Sequence, residues 1–354
     1  MASQKIPNVQ KAWLCTAQGK PAKSLKHTSD WPVPKKLEPG EVLIRVQAAA
    51  LNPVGWKLMK MLPNFIARRP HVAEHDLAGV VVGSNGNELK AGDEVFGWVP
   101  MWLTAKTGQG ALAQFVRVPE DHLVCRPKEV TPVEAAGLTL AGLTAYQAIH
   151  EIANVTTHQT VFVSGGSTAV GAFAIQFAKA IGAKVIATAS GKNEAFVRGL
   201  GADEFIDYTK INIPQELTQK PPYPKFNVIF DAVGNVDPSL YTQSEAYLAP
   251  NGVFVTTGPF PQTFSVSEIW KLFRTFSAII TPRWLGGTNR EYKFVSVKNS
   301  HEDLKKIAKL IRDGMVKPVI DSVFNFDDTV KAFDRIMTTR ATGKVVVKVY
   351  PSVD

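Results

Sequence analysis

The stretch from Val161 to Ser190, VFVSGGSTAVGAFAIQFAKAIGAKVIATAS, constrains the fold more than any other part of the chain. Val161-Phe162-Val163 reads as a buried strand, and the turn Gly165-Gly166-Ser167-Thr168-Ala169-Val170-Gly171 follows it. Val170, Phe173, Ala174, Phe177 and Ile181 then recur at the spacing that fills one helix face. Gly182 suits the end of that helix, where left-handed backbone is wanted. Lys184 to Ala189 is a second apolar strand. Strand, helix and strand in about 30 residues make the unit that joins two parallel strands.

Such a unit aims unpaired helix N–H groups and a helix dipole at whatever sits above the strand ends, which favours a phosphate. Gly166 and Gly171 fill the first and last places of a G-x-G-x-x-G fingerprint, but Thr168 stands in the middle place. A threonine there either shifts the phosphate or offers its hydroxyl to it. The candidates for the phosphate cradle are Gly166, Ser167, Thr168, Ala169 and Val170; the alternative is a glycine turn that binds nothing. An NAD site wants an acid for the ribose diol after the second strand, whereas an NADP site wants hydroxyls and a cation for the 2′-phosphate. No acid occurs from Lys184 to Asn193, where Ser190, Lys192 and Asn193 stand instead, with Arg198 on the next helix. The expected cofactor is therefore NADPH. Ser190 also reads as a plain N-cap.

The 354 residues suggest about two domains. The start, MASQKIPNVQKAWL, lacks the apolar stretch of a signal peptide. No run approaches the ~20 apolar residues of a membrane span, so no membrane partner is expected. Two cysteines, Cys15 and Cys125, supply neither a disulfide framework nor a four-cysteine zinc site. A reducing, cytoplasmic location is expected. Lys+Arg of 40 against Asp+Glu of 31 gives +9. The charges are scattered and do not alternate with aromatics, so a nucleic-acid partner is not expected.

Lys11 to Val118 is β-rich, with Glu41 to Gln47 alternating as a half-buried strand. A boundary falls at RPKEVTPVEAAG, where Thr131 is an N-cap, Pro132 the first helical residue and Glu134 the partner of a capping box. Thr144-Ala145-Tyr146 begins another helix. Strands near 161, 184, 204, 227 and 253 alternate with helices, which indicates a doubly wound parallel sheet. GPFPQTFSV is a proline-broken loop, Ser267 to Ile280 a helix, and Tyr292 to Val297 the sheet's last strand. The basic loop TPRWLGGTNREY carries Trp284, placed among the substrate contacts because such rim loops commonly hold them. The chain then returns to the first domain, closing with a strand at Val345 to Val349.

The run from Val161 to Ser190, with LGADEFIDY at Leu200 to Tyr208, FNVIFDAVG at Phe226 to Gly234, ALNPVGWKL near the start and TGKVVVKV near the end, resembles the medium-chain dehydrogenase/reductase superfamily. Within it the chain is similar to the zinc-free branch of quinone oxidoreductases (zeta-crystallin-like) and fungal enoyl reductases. The resemblance implies an α/β protein with a GroES-like β-rich domain (residues 1–131 and 300–354) and a Rossmann NADP-binding domain (132–299). In zinc alcohol dehydrogenases, ligands stand where this chain has Asn52, His75 and about Leu140. One imidazole does not hold catalytic zinc, so no metal is expected, and His75 becomes a pocket-wall or hydrogen-bonded residue.

The resemblance also implies an activity. Without a metal, reduction of a C=C bond conjugated to a carbonyl is the readier chemistry: hydride goes to the β-carbon, and donors must meet the enolate oxygen. Asn52 and Lys57 are the catalytic candidates, and Trp56 walls an apolar slot. Gly55 departs from the family's usual aspartate, so the acid that would orient Lys57 is missing; Lys57 reads equally as a surface lysine. Thr144 resembles the threonine beside the nicotinamide, or caps a helix. Tyr208 resembles the tyrosine against the NADP phosphate end, and Gly234 and Gly258 let the cofactor ring pass close to backbone. The expected function is NADPH-dependent, metal-free reduction of an enal, enone or enoyl thioester. The alternatives are a quinone oxidoreductase, a trans-acting enoyl reductase serving a polyketide synthase's carrier-bound acyl chain, and a non-catalytic NADPH- or RNA-binding protein. The family often forms homodimers through sheet edges.

Overall fold

A computed structural model describes residues 6–259 and 265–350. Its strands in chain order are β1 (Val9–Cys15), β2 (Leu25–Pro32), β3 (Glu41–Ala50), β4 (His71–Val72), β5 (Asp76–Ser84), β6 (Glu94–Trp98), β7 (Phe115–Pro119), β8 (Leu123–Cys125), β9 (Thr160–Ser164), β10 (Lys184–Ala189), β11 (Glu204–Asp207), β12 (Phe226–Asp231), β13 (Leu248–Thr256), β14 (Glu291–Phe294), β15 (Ile320–Asn325) and β16 (Lys344–Lys348). Contacts divide the chain into one unit of Met1–Leu140 with Asn299–Asp354, and another of Ala141–Lys298.

The first unit holds a three-stranded sheet, β2-β1-β4, and a larger sheet in the order β15-β16-β3-β5-β6-β8, with β7 also paired to β3. Alternation predicts a half-buried strand at Glu41 to Gln47, but β3 is buried along almost its whole length. It is a central strand whose Val42, Ile44 and Val46 lie in the main core of this unit, while Leu43 packs with Val33 and Phe115 in a second cluster, so both faces are covered. Such a strand shows no alternation because neither face meets water. The capping box is present: Glu134 N–H donates to Thr131 Oγ1, and Thr131 N–H donates to the Glu134 carboxylate. That helix, Pro132–Ala136, lies against β3 and β5, so residues 132–140 go with this unit.

The second unit holds a parallel sheet in the order β11-β10-β9-β12-β13-β14. The chain runs outward from β9 through β10 to β11, then returns to start at β12 and runs the other way. This makes β9 and β12 the switch point, where open α/β sheets bind ligands at their carboxyl ends. The helix expected to begin at Thr144 begins at Thr139, runs to Tyr146 and continues as a π-helical segment, Gln147–Ile152. Thr144 is thus a mid-helix residue rather than a cap. The helix Val266–Ile280 forms, capped by Ser265. Most of the loop GPFPQTFSV lies outside the described residues.

Candidate active site

In the second unit the glycine turn is built around one hydroxyl. Thr168 is the N-cap of the helix Ala169–Ile181; its Oγ1 accepts from Gly171 N–H at 3.0 Å and donates to the Gly165 carbonyl at 2.9 Å. The middle place of the fingerprint is therefore spent on capping, and its hydroxyl proton is not offered to a phosphate. The first-turn amides of Ala169 and Val170 are left as the helix's outward donors. Gly165 has φ +81°, and a Cβ on Gly171 would strike the Gly165 carbonyl. The turn thus needs glycine at both ends to bring the helix start down onto the strand.

The other candidates lie where neighbouring strands of this sheet end. Ser190 precedes a short 3-10 turn, Gly191–Asn193, without capping it through its side chain, and Lys192 is exposed. Tyr208 N–H donates to the Ala189 carbonyl at 3.2 Å, and the residue is 55% exposed. Arg198 is committed elsewhere, with its Nε on Glu194 at 2.8 Å. An acid does reach the Ser190–Asn193 turn, from the adjacent strand: Asp207 accepts from the Thr209 hydroxyl at 2.7 Å and the Thr209 amide at 3.0 Å, and Gly191 N–H bonds to it. The Thr209 bonds hold its carboxyl below the usual range. It lies on β11, paired with Ala189, and so falls outside the stretch from Lys184 to Asn193 that follows from β10 alone.

At the switch point, Asp231 ends β12, in register with Ser164 of β9. Its buried carboxylate accepts from Val233 N–H at 3.2 Å and Asn235 N–H at 3.0 Å, and burial raises its pKa. Those bonds shape the loop carrying Gly234, which lies against Gly258; a Cβ on either would collide with the other's backbone. Mutual close approach thus already demands glycine at both places. Thr144 is half-buried within its helix, and Trp284 is 81% exposed. The glycine turn and the switch-point loops suit a dinucleotide, with helix amides for the pyrophosphate; Ser190, Lys192 and the Asp207 carboxyl stand together beyond it.

In the first unit, Asn52 stands at the N-cap of the helix Pro53–Met61, which carries Trp56 and Lys57. Asn52 is buried, and both ends of its amide are engaged. Nδ2 donates to Asp76 Oδ2 at 3.0 Å, and Oδ1 accepts from Lys344 Nζ at 2.7 Å. Lys344 also donates to Asp76 Oδ2 at 3.0 Å, in an ion pair whose side chains are 3% and 0% exposed. Leu140 N–H closes on Asp76 Oδ1 at 3.3 Å. Positions 52 and 140, the places of cysteine ligands in zinc relatives, therefore both address a carboxylate paired to an ammonium. His75 turns its Nδ1 to the Val99 carbonyl at 2.8 Å, and burial lowers its pKa. Among the described residues no group of three or more His, Cys, Asp and Glu is placed to hold a metal.

A carboxyl from another segment packs against Gly55. Glu74 is buried; its Oε2 accepts from Asn52 N–H at 3.1 Å, and its Oε1 has no partner. Oε1 occupies the space a Cβ on Gly55 would need. Burial pushes the Glu74 carboxyl up to about 8, so it carries a proton at neutral pH. Trp56, expected to wall a slot, is 8% exposed and belongs to the core. Lys57 Nζ stands 5.9 Å from the Trp56 ring centroid, and burial lowers its pKa. Glu74, Asp76 and Lys344 were all missed. The one signal for Lys344 was a charge opening an otherwise apolar strand, KVVV.

The model of the alcohol dehydrogenase GroES-like domain matches residues 38–128, and that of zinc-binding dehydrogenases matches 200–347. Trans-enoyl reductase pgmF of Aspergillus terreus is 33% identical over 97% of this chain and 97% of its own length. The 2-methylene-furan-3-one reductase of Solanum lycopersicum is 36% identical over 98% of this chain and 81% of its own. The solved quinone oxidoreductase of Coxiella burnetii superposes with a TM-score of 0.78 at 27% identity, covering 97% of this chain and 100% of that one. No described helix is long and apolar enough to cross a membrane. With its GroES-like sheet, its switch-point crevice and these relatives, the chain belongs to the medium-chain dehydrogenase/reductase superfamily, as a nicotinamide-dependent oxidoreductase of the quinone oxidoreductase and enoyl reductase branch.

Proposed function

We propose that the protein is an NADPH-dependent, metal-free reductase of the conjugated C=C bond of an enal, enone or enoyl thioester. The observation that carries this reading is the Asn52–Asp76–Lys344 cluster: an amide and an ion pair fill the place of a zinc donor set, so no Lewis acid is available to activate an alcohol. Kinship with an enoyl reductase and a furanone reductase supports the same acceptor class.

Bound NADPH supplies the hydride. The amides of Ala169 and Val170 hold its pyrophosphate, and Ser190 and Lys192 take the 2′-phosphate. Asn52 orients a carbonyl at the reacting end. Lys57, whose proton burial has loosened, donates to the oxygen that gains charge as the β-carbon is reduced. A quinone is the second acceptor class, favoured by kinship with the Coxiella burnetii enzyme. We further infer a cytoplasmic enzyme, with β14 at the sheet's edge as the strand that pairs two copies. A carrier-bound acyl chain is the substrate form that would link it to a polyketide synthase.

Cofactor oxidation measured over enals, enones, quinones and enoyl thioesters, with NADPH and NADH, tests the proposal. Turnover of an enone or enoyl thioester with NADPH is expected. Turnover of quinones alone selects the second reading, and alcohol oxidation that requires zinc overturns both.

A further inference from the structure

With Asn52 at the ligand carbonyl, a premise taken from the proposed function, the direction of its amide decides what it can donate. An asparagine amide presents two N–H donors and one carbonyl, and rotation by half a turn exchanges them. Here the exchange is barred by charge. Lys344 Nζ lies 2.7 Å from Oδ1, and Asp76 Oδ2 lies 3.0 Å from Nδ2. Rotated, the amide would turn its NH2 on an ammonium and its carbonyl on a carboxylate. Asp76 is itself held by Leu140 N–H at 3.3 Å, and the Asn52 backbone is held by Glu74 Oε2 at 3.1 Å. The cluster uses one Nδ2–H and the carbonyl, which leaves a single N–H in a fixed direction.

We propose that Asp76 and Lys344 are positioning residues, which lock the Asn52 amide so that its one remaining N–H serves the ligand carbonyl. Stability alone is a poor reason to bury such a pair, since apolar replacements of similar size are often as stable or more so. A buried pair that dictates the orientation of a third group does something an apolar pair does not.

A double-mutant cycle tests this. Asp76→Asn/Lys344→Met removes both charges together and leaves no unpaired ion, while the carbonyl of the substituted side chain keeps an acceptor for Leu140 N–H. Four proteins are compared on the best acceptor: wild type, Asn52→Ala, the charge-free pair, and the triple variant. The charge-free pair should fold and bind NADPH as wild type does, but lose roughly 10- to 100-fold in kcat, the scale of a misplaced catalytic group. The triple variant should be no slower than Asn52→Ala, because the pair acts only through Asn52.

Losses that multiply in the triple variant, or full kcat in the charge-free pair, overturn the proposal. Wild-type turnover by Asn52→Ala instead overturns the assignment of Asn52 itself. A readout independent of turnover is the neutron crystal structure of the charge-free pair with NADPH, in which the amide hydrogens tell Nδ2 from Oδ1. Two amide orientations or a displaced side chain at Asn52 are expected, and a single unchanged orientation counts against the lock. If the charge-free pair does not fold, Asp76→Asn/Lys344→Gln, which is also uncharged but keeps polar partners, goes through the same cycle and the same structure determination.

Discussion

Replacing Glu74 by glutamine should change how stability responds to pH. The carboxyl moves from an ordinary 4.5 to about 8 in the folded protein, because burial penalises its charge more than nearby Lys344 and the Asn52 amide relieve it. Between these values the folded protein keeps a proton that the unfolded chain has released. The native state then binds more protons, so stability falls as pH rises through this window and levels off above about 8. At about 1.4 kcal/mol per unit, the whole fall is about 5 kcal/mol. Glu74→Gln cannot ionise. Its amide NH2 would sit where Oε1 has no partner, at a constant cost of about 1–3 kcal/mol. Urea unfolding of both proteins from pH 5 to 9, followed by tryptophan fluorescence, gives the difference between them at each pH. Across that window the difference should climb by about 4 kcal/mol in favour of glutamine, the first part of the fall lying below pH 5. A flat difference curve would refute the reasoning, because the constant cost cancels and only the proton remains.

Lys192→Ala should weaken NADPH binding roughly 10- to 100-fold and leave NADH binding nearly unchanged, since a hydrogen bond to a charged group contributes about 1.5–3 kcal/mol. Paired titrations read this, and equal losses for both cofactors would show that the lysine does not read the phosphate. Gly55→Ala should cost about 1–3 kcal/mol, because the new methyl collides with Glu74 Oε1; a melting temperature equal to wild type would contradict the close approach. Chelation should leave turnover intact, and stoichiometric zinc whose removal abolishes activity would disprove a metal-free site.

What was legible in the sequence was what is local. The strand, turn and helix from Val161 to Gly182 and the Thr131–Glu134 capping box depend on neighbours a few residues away, and they form as spacing predicts. The burial of β3 was not legible, because its second face is covered by residues distant in the chain, Val33 and Phe115 among them. Nor was the fate of the Thr168 hydroxyl, since a threonine in the middle of the fingerprint reads the same whether it caps or binds. The charged cluster lay furthest from view: Lys344 is 268 residues from Asp76 and 292 from Asn52, and no periodicity joins them. Gly55 read as a lost acid, and only folding shows that a carboxyl from a separate segment, Glu74, packs against it.

The split of the first unit around the second has a consequence for the order of assembly. Leu51 N–H donates to the Val345 carbonyl at 2.9 Å, Val349 N–H to the Gln47 carbonyl at 2.9 Å, and Trp13 Nε1 to the Phe326 carbonyl at 2.7 Å. A ribosome that has finished β3 must still make all of residues 141–298 before β16 exists to pair with it. The parallel sheet of β9 to β14 waits for nothing downstream, and folds as its own strands emerge. Throughout that interval β3 lacks its β16 neighbour, and Asp76 stays without the lysine that neutralises it. The nascent chain therefore carries the parallel sheet while the Asn52 amide still lacks Lys344, which arrives only with β16, the last strand among the described residues.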